Sequence, residues 1–233
     1  MRVSIITAIY DNYDSLKPVL PQEGADVEWV CVTDKPIEDP QGWRVVVEPR
    51  PGQHPNVAAK RPKMLPHEYC NSWVEHPLVT IWVDASFRVR SNRFAHDMCD
   101  IVTRHTPIAQ FKHPWRDCIY DEATASLELP KYQAQRAIIE QQMALYREWQ
   151  HPEHWGLWAT GVIGRFLDRT QPKTRLLDVR THGEDWLRSC QEWSYQDQLS
   201  EAVHLRTANL LPFELPGNHI SNPWLSYEGS ARH

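Results

Sequence analysis

The sequence predicts an α/β protein whose mostly parallel central sheet is flanked by helices, and three observations carry that prediction. Short β-branched and apolar runs alternate with helix-forming stretches along most of the 233 residues, a spacing of strand–helix units rather than of hairpins. The run Val79 to Val83 (VTIWV) is unbroken in its β-branched and apolar residues, as expected of an interior strand covered on both faces. It stops at Asp84 and resumes after Ser86, which puts a carboxylate at the strand's carboxyl end, where open α/β sheets place ligands. A surface turn capped by an Asp is the plainer reading of the same segment.

The elements follow in order. Val3 to Tyr10 (VSIITAIY) reads as a strand, Asp11 to Asp14 as turn chemistry, and Ser15 to Leu20 as a short helix. Strands fit Val27 to Val32 and Trp43 to Glu48, and Ala58 to Cys70, with Pro62 and Pro66, reads as a broken helix. The central strand spans Leu78 to Val83. A helix over Asn92 to Arg104, capped by Ser91 or Asn92, precedes a strand at Ile108 to Phe111. Asp117 to Leu129 and Lys131 to Gln150 are the strongest helical stretches. Gly156 to Arg165 is a glycine-punctuated strand or turn, followed by helices at Thr174 to Cys190 and Ser194 to Leu205 and an irregular tail. No repeat or linker divides the chain, so one domain over residues 1–233 is expected.

Bulk properties narrow the function classes. Lys plus Arg number 25 against 30 for Asp plus Glu, a net charge of −5, so no general attraction for nucleic acid is expected. The five cysteines are widely spaced, odd in number and without a CxxC pair, which points to a reducing compartment. No run approaches a membrane span, and the amino terminus enters a strand directly. A soluble cytoplasmic protein without a membrane partner is the expectation.

Four polar loops fall after strands: Asp11 to Asp14, Thr33-Asp34, Asp84 to Ser86, and His113 to Arg116 (HPWR). Loops at strand carboxyl ends converge on one crevice. A nucleotide-type ligand needs an aromatic face, a carboxylate for base or ribose, and positive charge or metal for its phosphates. Tyr10 or Tyr13, Asp34, Lys60 with Lys63, and Asp84 supply those types. Arg116 offers bidentate phosphate recognition, while His113 before a proline is as readily a loop residue. Trp158, Gly161 and Gly164 suit either a sugar or acceptor platform or a tight core strand. Asp121 and Glu122 are helix neighbours pointing about 100° apart, not a ready dyad, and Glu122 is expected to bind His113 or Arg116 on the acceptor side. His151 and His154 have metal-like spacing, yet no Cys or carboxylate cluster beside them completes a shell, so both are expected in a surface loop.

Several segments resemble a known family in order: Ile6 to Asp14 (ITAIYDNYD), Trp29 to Asp34 (WVCVTD), Lys60 to His67 (KRPKMLPH), and Ile81 to Ser86 (IWVDAS). Lys112 to Ala123, Gly156 to Arg165 and Trp193 to Leu199 continue the match, over about residues 3 to 215. The family is a glycosyltransferase-like one, formerly described only as a domain of unknown function, whose plant Golgi members are associated with wall or mucilage polysaccharides. The resemblance implies a GT-A-like, Rossmann-like fold with a donor half at about 1–112, an acceptor and catalytic half at about 113–215, and a tail at 216–233. It implies a donor site at Ala8, Tyr10, Asp11, Asn12, Tyr13, Asp34, Lys60, Arg61, Lys63, Asp84, Ala85 and Ser86.

In GT-A enzymes a DxD motif holds a metal on the donor diphosphate. Asp84 aligns with its first acidic position, and the second is Ser86. That departure thins the shell for a hard cation such as Mn²⁺ or Mg²⁺, and the cluster of Lys60, Arg61 and Lys63 could share the neutralisation. His219 resembles the late metal ligand of some relatives, and Asp197 their late acidic position facing the sugar. Catalytic roles thus fall to Asp84, His113, Arg116 and Asp197. The implied activity is transfer from a nucleotide sugar, UDP-linked by preference, to a protein, glycan, small-molecule or modified nucleic-acid acceptor. A binding module without turnover and a nucleic-acid-modifying transferase are the alternatives.

Overall fold

The computed structural model describes residues 2–71, 78–167 and 173–229. Its first part builds parallel strands β1 (Arg2–Ile9), β2 (Asp26–Thr33) and β3 (Arg44–Val47). Short helices α1 (Pro55–Ala58) and α2 (Lys60–Met64) and a 3-10 turn at Pro66–Tyr69 lead to β4 (Leu78–Val83). Then come β5 (Phe87–Val89), α3 (Phe94–Arg104) and β6 (Ile108–Lys112). Helices α4 (Ile119–Leu127), α5 (Pro130–Gln133) and α6 (Arg136–Glu148) precede β7 (Trp158–Leu167). The chain closes with α7 (Lys173–Glu192), α8 (Gln198–Thr207), β8 (Phe213–Glu214) and β9 (Leu225–Tyr227).

Seven strands form one sheet in the order β3-β2-β1-β4-β7-β6-β8, parallel except for β7, which runs against both neighbours. This is the mixed, mostly parallel α/β arrangement of a GT-A-like fold. Every residue of β4 is buried, and its side chains alternate between two cores. Leu78 and Trp82 join the core under α2, α4, α7 and α8, whereas Val79, Ile81 and Val83 join the one under α3. Gly164 on β7 lets α3 approach, since a Cβ there would lie 2.4 Å from the Met98 sulfur.

Three sequence expectations need correction. Ser15 to Leu20 is not helical. Pro18 and Pro21 disfavour a helix, and the segment is tethered instead by Val19 N–H to the Gln41 carbonyl and by the Trp43 indole to the Lys17 carbonyl. The expected helix over Lys131 to Gln150 is two, α5 and α6. The tail is not wholly irregular, because β9 pairs antiparallel with β5 and folds the tail over the end of β4; its last residues, 230–233, lie outside the described ones.

Candidate active site

Because β7 runs antiparallel, its first residues share a sheet edge with the carboxyl ends of β1, β4 and β6. A cavity of about 430 Å³ opens at that edge. Of the expected site residues, Ala8, Tyr10, Tyr13, Lys60, Lys63, Asp84, Ala85, Ser86, His113, Arg116, Glu122, Gly161, Asp197 and His219 line it.

Asp84 sits in a turn closed by Phe87 N–H on its carbonyl, and its own N–H donates to the Gly161 carbonyl at 2.8 Å. Its Oδ1 accepts the Trp82 indole N–H at 2.6 Å and lies 3.5 Å from the Lys63 ammonium. Gly161 makes room for it, since a Cβ there would meet Phe87 at 2.8 Å and Asp84 Oδ2 at 3.2 Å. The Asp84 side chain keeps 38% exposure, so it faces the cavity with room for a ligand.

Across from it, Asp197 is buried at the amino end of α8. Its Oδ2 meets Lys60 at 2.8 Å and Lys63 at 2.7 Å, and its Oδ1 accepts the Thr160 hydroxyl at 3.0 Å. Burial alone would raise its pKa, but the two ammoniums outweigh that and hold the carboxyl well below its usual range. Lys63 is buried as well; desolvation works against its charge, and Asp197 and Asp84 together leave its pKa raised. Lys131 joins the same wall, its pKa lowered by burial and by Lys60. Three ammoniums against two carboxylates leave a positive excess here.

The third wall is the HPWR turn and α4. Glu122 Oε2 accepts from Arg116 Nε at 2.6 Å and stands 3.6 Å from His113 Nε2. Its Oε1 takes the Gln196 amide at 3.2 Å. Burial raises the Glu122 pKa, and Arg116 offsets only part of the rise. His113 is pushed down to about 4 by burial and then by Arg116, so its ring is neutral near pH 7. Its Nδ1 accepts the backbone N–H groups of Arg116 and Trp115, which leaves the proton on Nε2, facing Glu122.

Other expected residues sit elsewhere. Asp11 and Asn12 are exposed turn residues in left-handed conformations (φ 56° and 53°), a region Asn and Asp tolerate. Asp34 accepts the Asp11 N–H at 3.2 Å and so braces the loop rather than lining the cavity. Arg61 pairs with Glu68 on the outside. Of the two aromatic candidates, Tyr10 packs its ring into the core, whereas Tyr13 is only half-buried where it lines the cavity. Trp158 is 3% exposed, edge-on to Trp155, and Gly164 lies under α3, so the core-strand alternative holds for both. Further aromatic surface comes from residues not expected as site residues: Trp115 at the cavity's mouth, 67% exposed, with Tyr195 and Tyr227. Trp115 lies inside the HPWR motif, where an apolar ring in a polar turn is itself a signal.

The cation implied for this site can be tested against the donor set. Asp84, Ser86 and His219 line the same cavity, and His219 Nδ1 is buried without a hydrogen-bond partner. Burial lowers the His219 pKa while Asp84 pulls it back, so the ring is a neutral ligand beside a carboxylate. This set fits a divalent cation that takes its remaining oxygens from a diphosphate and water.

A GT-A-like sheet with a charged cavity at its carboxyl edge defines a protein of the glycosyltransferase-like class. The family model described as TOD1/MUCI70, glycosyltransferase-like domain, matches residues 33–154, just over half of the 233-residue chain. The chain belongs to that family. No curated protein matches it. None of the described helices is long and apolar enough to cross a membrane.

Proposed function

We propose that the cavity binds a nucleotide sugar, a UDP-sugar by preference, and transfers its sugar to an acceptor hydroxyl. The observation carrying this reading is the convergence of Lys60, Lys63 and Lys131 with Asp84 and Asp197 at the sheet's carboxyl edge. A diphosphate leaving group needs preorganised positive charge in a site sheltered from water. Tyr13 offers the base a face, Lys60 and Lys63 neutralise the diphosphate, and Asp84 with His219 would hold a Mn²⁺ or Mg²⁺ ion. That ion supplies further charge stabilisation to the departing diphosphate.

The acceptor oxygen attacks the anomeric carbon, the bond to the β-phosphate oxygen breaks with its electron pair going to the phosphate, and the acceptor proton passes to a base. Glu122 suits that role better than Asp197. A base works best with a pKa near the operating pH; Glu122 is shifted upward and Asp197 downward. Asp197 instead fixes Lys60 and Lys63 as a positioning residue. The exposed Trp115 ring offers a sugar acceptor its apolar face.

Incubation with a panel of UDP-, GDP- and ADP-sugars, with and without Mn²⁺, tests the proposal by release of nucleoside diphosphate. Donor hydrolysis that falls at least tenfold in Asp84→Asn is expected. No turnover of any donor, or equal turnover by the variant, overturns it; donor binding without turnover would support the binding-module alternative, which Ser86 at the second acidic position favours.

A further inference from the structure

We propose that Cys118, Asp121 and His154 form a second metal site, for a transition-metal cation of the zinc type, outside the donor cavity. One ligand atom from each lies within 4.8 Å of the other two, and none of the three residues lines the cavity. Tetrahedral zinc, with bonds of about 2.0–2.3 Å, spaces its ligands about 3.5 Å apart. Closure of no more than about 1.3 Å, from 4.8 to about 3.5 Å, is therefore needed. Asp121, exposed on the first turn of α4, supplies it by a change of rotamer, while Cys118 is buried and His154 is already braced by Asp117.

The surroundings suit such an ion. His154 Nδ1 lies 2.7 Å from Asp117 Oδ1, which leaves Nε2 for a cation and supplies the carboxylate that orients metal-ligating histidines. Cys118 occupies the N-cap of α4 and makes no capping hydrogen bond with its side chain, so its sulfur is not engaged by the helix end. The loop bearing His154 is held in place by Gly156 N–H on the Asp117 carbonyl and by the Arg147–Glu153 ion pair at 2.9 Å. Thiolate, imidazole and carboxylate together select zinc-like ions over Mg²⁺, unlike the oxygen-rich donor site. The ion would clamp the start of α4, which carries Glu122, to the loop entering β7, which carries Thr160 and Gly161.

Co²⁺ titration of the metal-stripped full chain tests this, since only a thiolate ligand gives the near-ultraviolet sulfur-to-cobalt charge-transfer band. One equivalent with that band is expected for wild type, with the band lost in Cys118→Ser. Should Cys118→Ser not fold, His154→Ala on the exposed loop serves, its affinity expected to drop at least tenfold; Asp117→Asn is expected to lose about 10–100-fold. Asp84→Asn is expected to keep the band, which separates this site from the donor cation. Absence of the band in wild type, equal titrations of wild type and His154→Ala, or loss of the band in Asp84→Asn overturns the proposal.

Discussion

Asp197 and Glu122 stand on different walls of one cavity, each 4% exposed, yet their pKa values move in opposite directions. Burial pushes both upward. At Asp197 two ammoniums at 2.8 and 2.7 Å reverse the push; at Glu122 a single guanidinium, itself partly exposed, does not. The difference teaches that equal burial does not mean equal chemistry. One carboxylate is held as an anion between cations, and the other, its pKa raised, is the one the proposed mechanism uses as a base.

The largest effect expected from breaking this contrast comes from Lys63→Met, which removes one of the two cations that hold Asp197 down. Breaking a buried ion pair costs about 3–5 kcal/mol, a fall in melting temperature on the order of 10 °C for a chain this size. Calorimetric unfolding checks it, and an unchanged midpoint would mean that Lys60 alone suffices.

Next in size is the pH dependence of stability. Asp197 has a depressed folded pKa, so its contribution is present above the ordinary carboxylate value of about 4 and lost as pH falls toward its own value. Glu122 has a raised folded pKa, so its contribution is present below about 4 and lost as pH rises through the raised value. The stability gap to wild type is therefore expected to widen with rising pH for Asp197→Asn and to narrow for Glu122→Gln. Melting curves from pH 3 upward would show whether the two trends share a sign, which would erase the contrast.

Glu122→Gln is also expected to flatten the rise of kcat with pH if Glu122 takes the acceptor proton. Smallest in stability is Trp115→Ala. With 67% of the residue exposed, its loss is expected to change unfolding by less than about 0.5 kcal/mol while raising KM for a sugar acceptor several-fold.

Much of this arrangement was legible in the sequence, and the exceptions have physical reasons. The core strands declare themselves through β-branched runs; the bounds of β4 are those expected, because burial on both faces selects apolar and β-branched residues and excludes charge. By contrast β8 and β9 have two and three residues, too short for any period to show, and are held by pairing to distant strands. Lys60, Lys63, Asp84, Arg116, Glu122 and Asp197 were named from motif and residue type, and the fold gathers them. What residue type does not reveal is how charge is shared: that Asp197 saturates itself with lysines follows only from distances. Glycine punctuation around Trp158 signals close packing equally for a core strand and for a ligand platform, and packing won. His151 and His154 were expected together in a surface loop, but His151 is buried, pushed down to about 4 by desolvation and then Arg206. His154 hydrogen-bonds with Asp117 and lies within 4.8 Å of ligand atoms of Cys118 and Asp121, all from 33 to 37 residues earlier. A shell assembled across that distance leaves no spacing motif to recognise.

The lysine–carboxylate wall as a diphosphate site is tested by titrating uridine diphosphate, with Mn²⁺, into wild type, Lys60→Met and Trp115→Ala by isothermal calorimetry. Lys60→Met leaves Asp197 paired with the more deeply buried Lys63, and a melting curve of the variant checks that it is folded. A charged hydrogen bond is worth about 1.5–3 kcal/mol, and its loss is expected to weaken binding about tenfold or more, with Trp115→Ala indistinguishable from wild type. No binding by wild type, or equal affinity in wild type and Lys60→Met, would contradict the placement of the diphosphate at this wall.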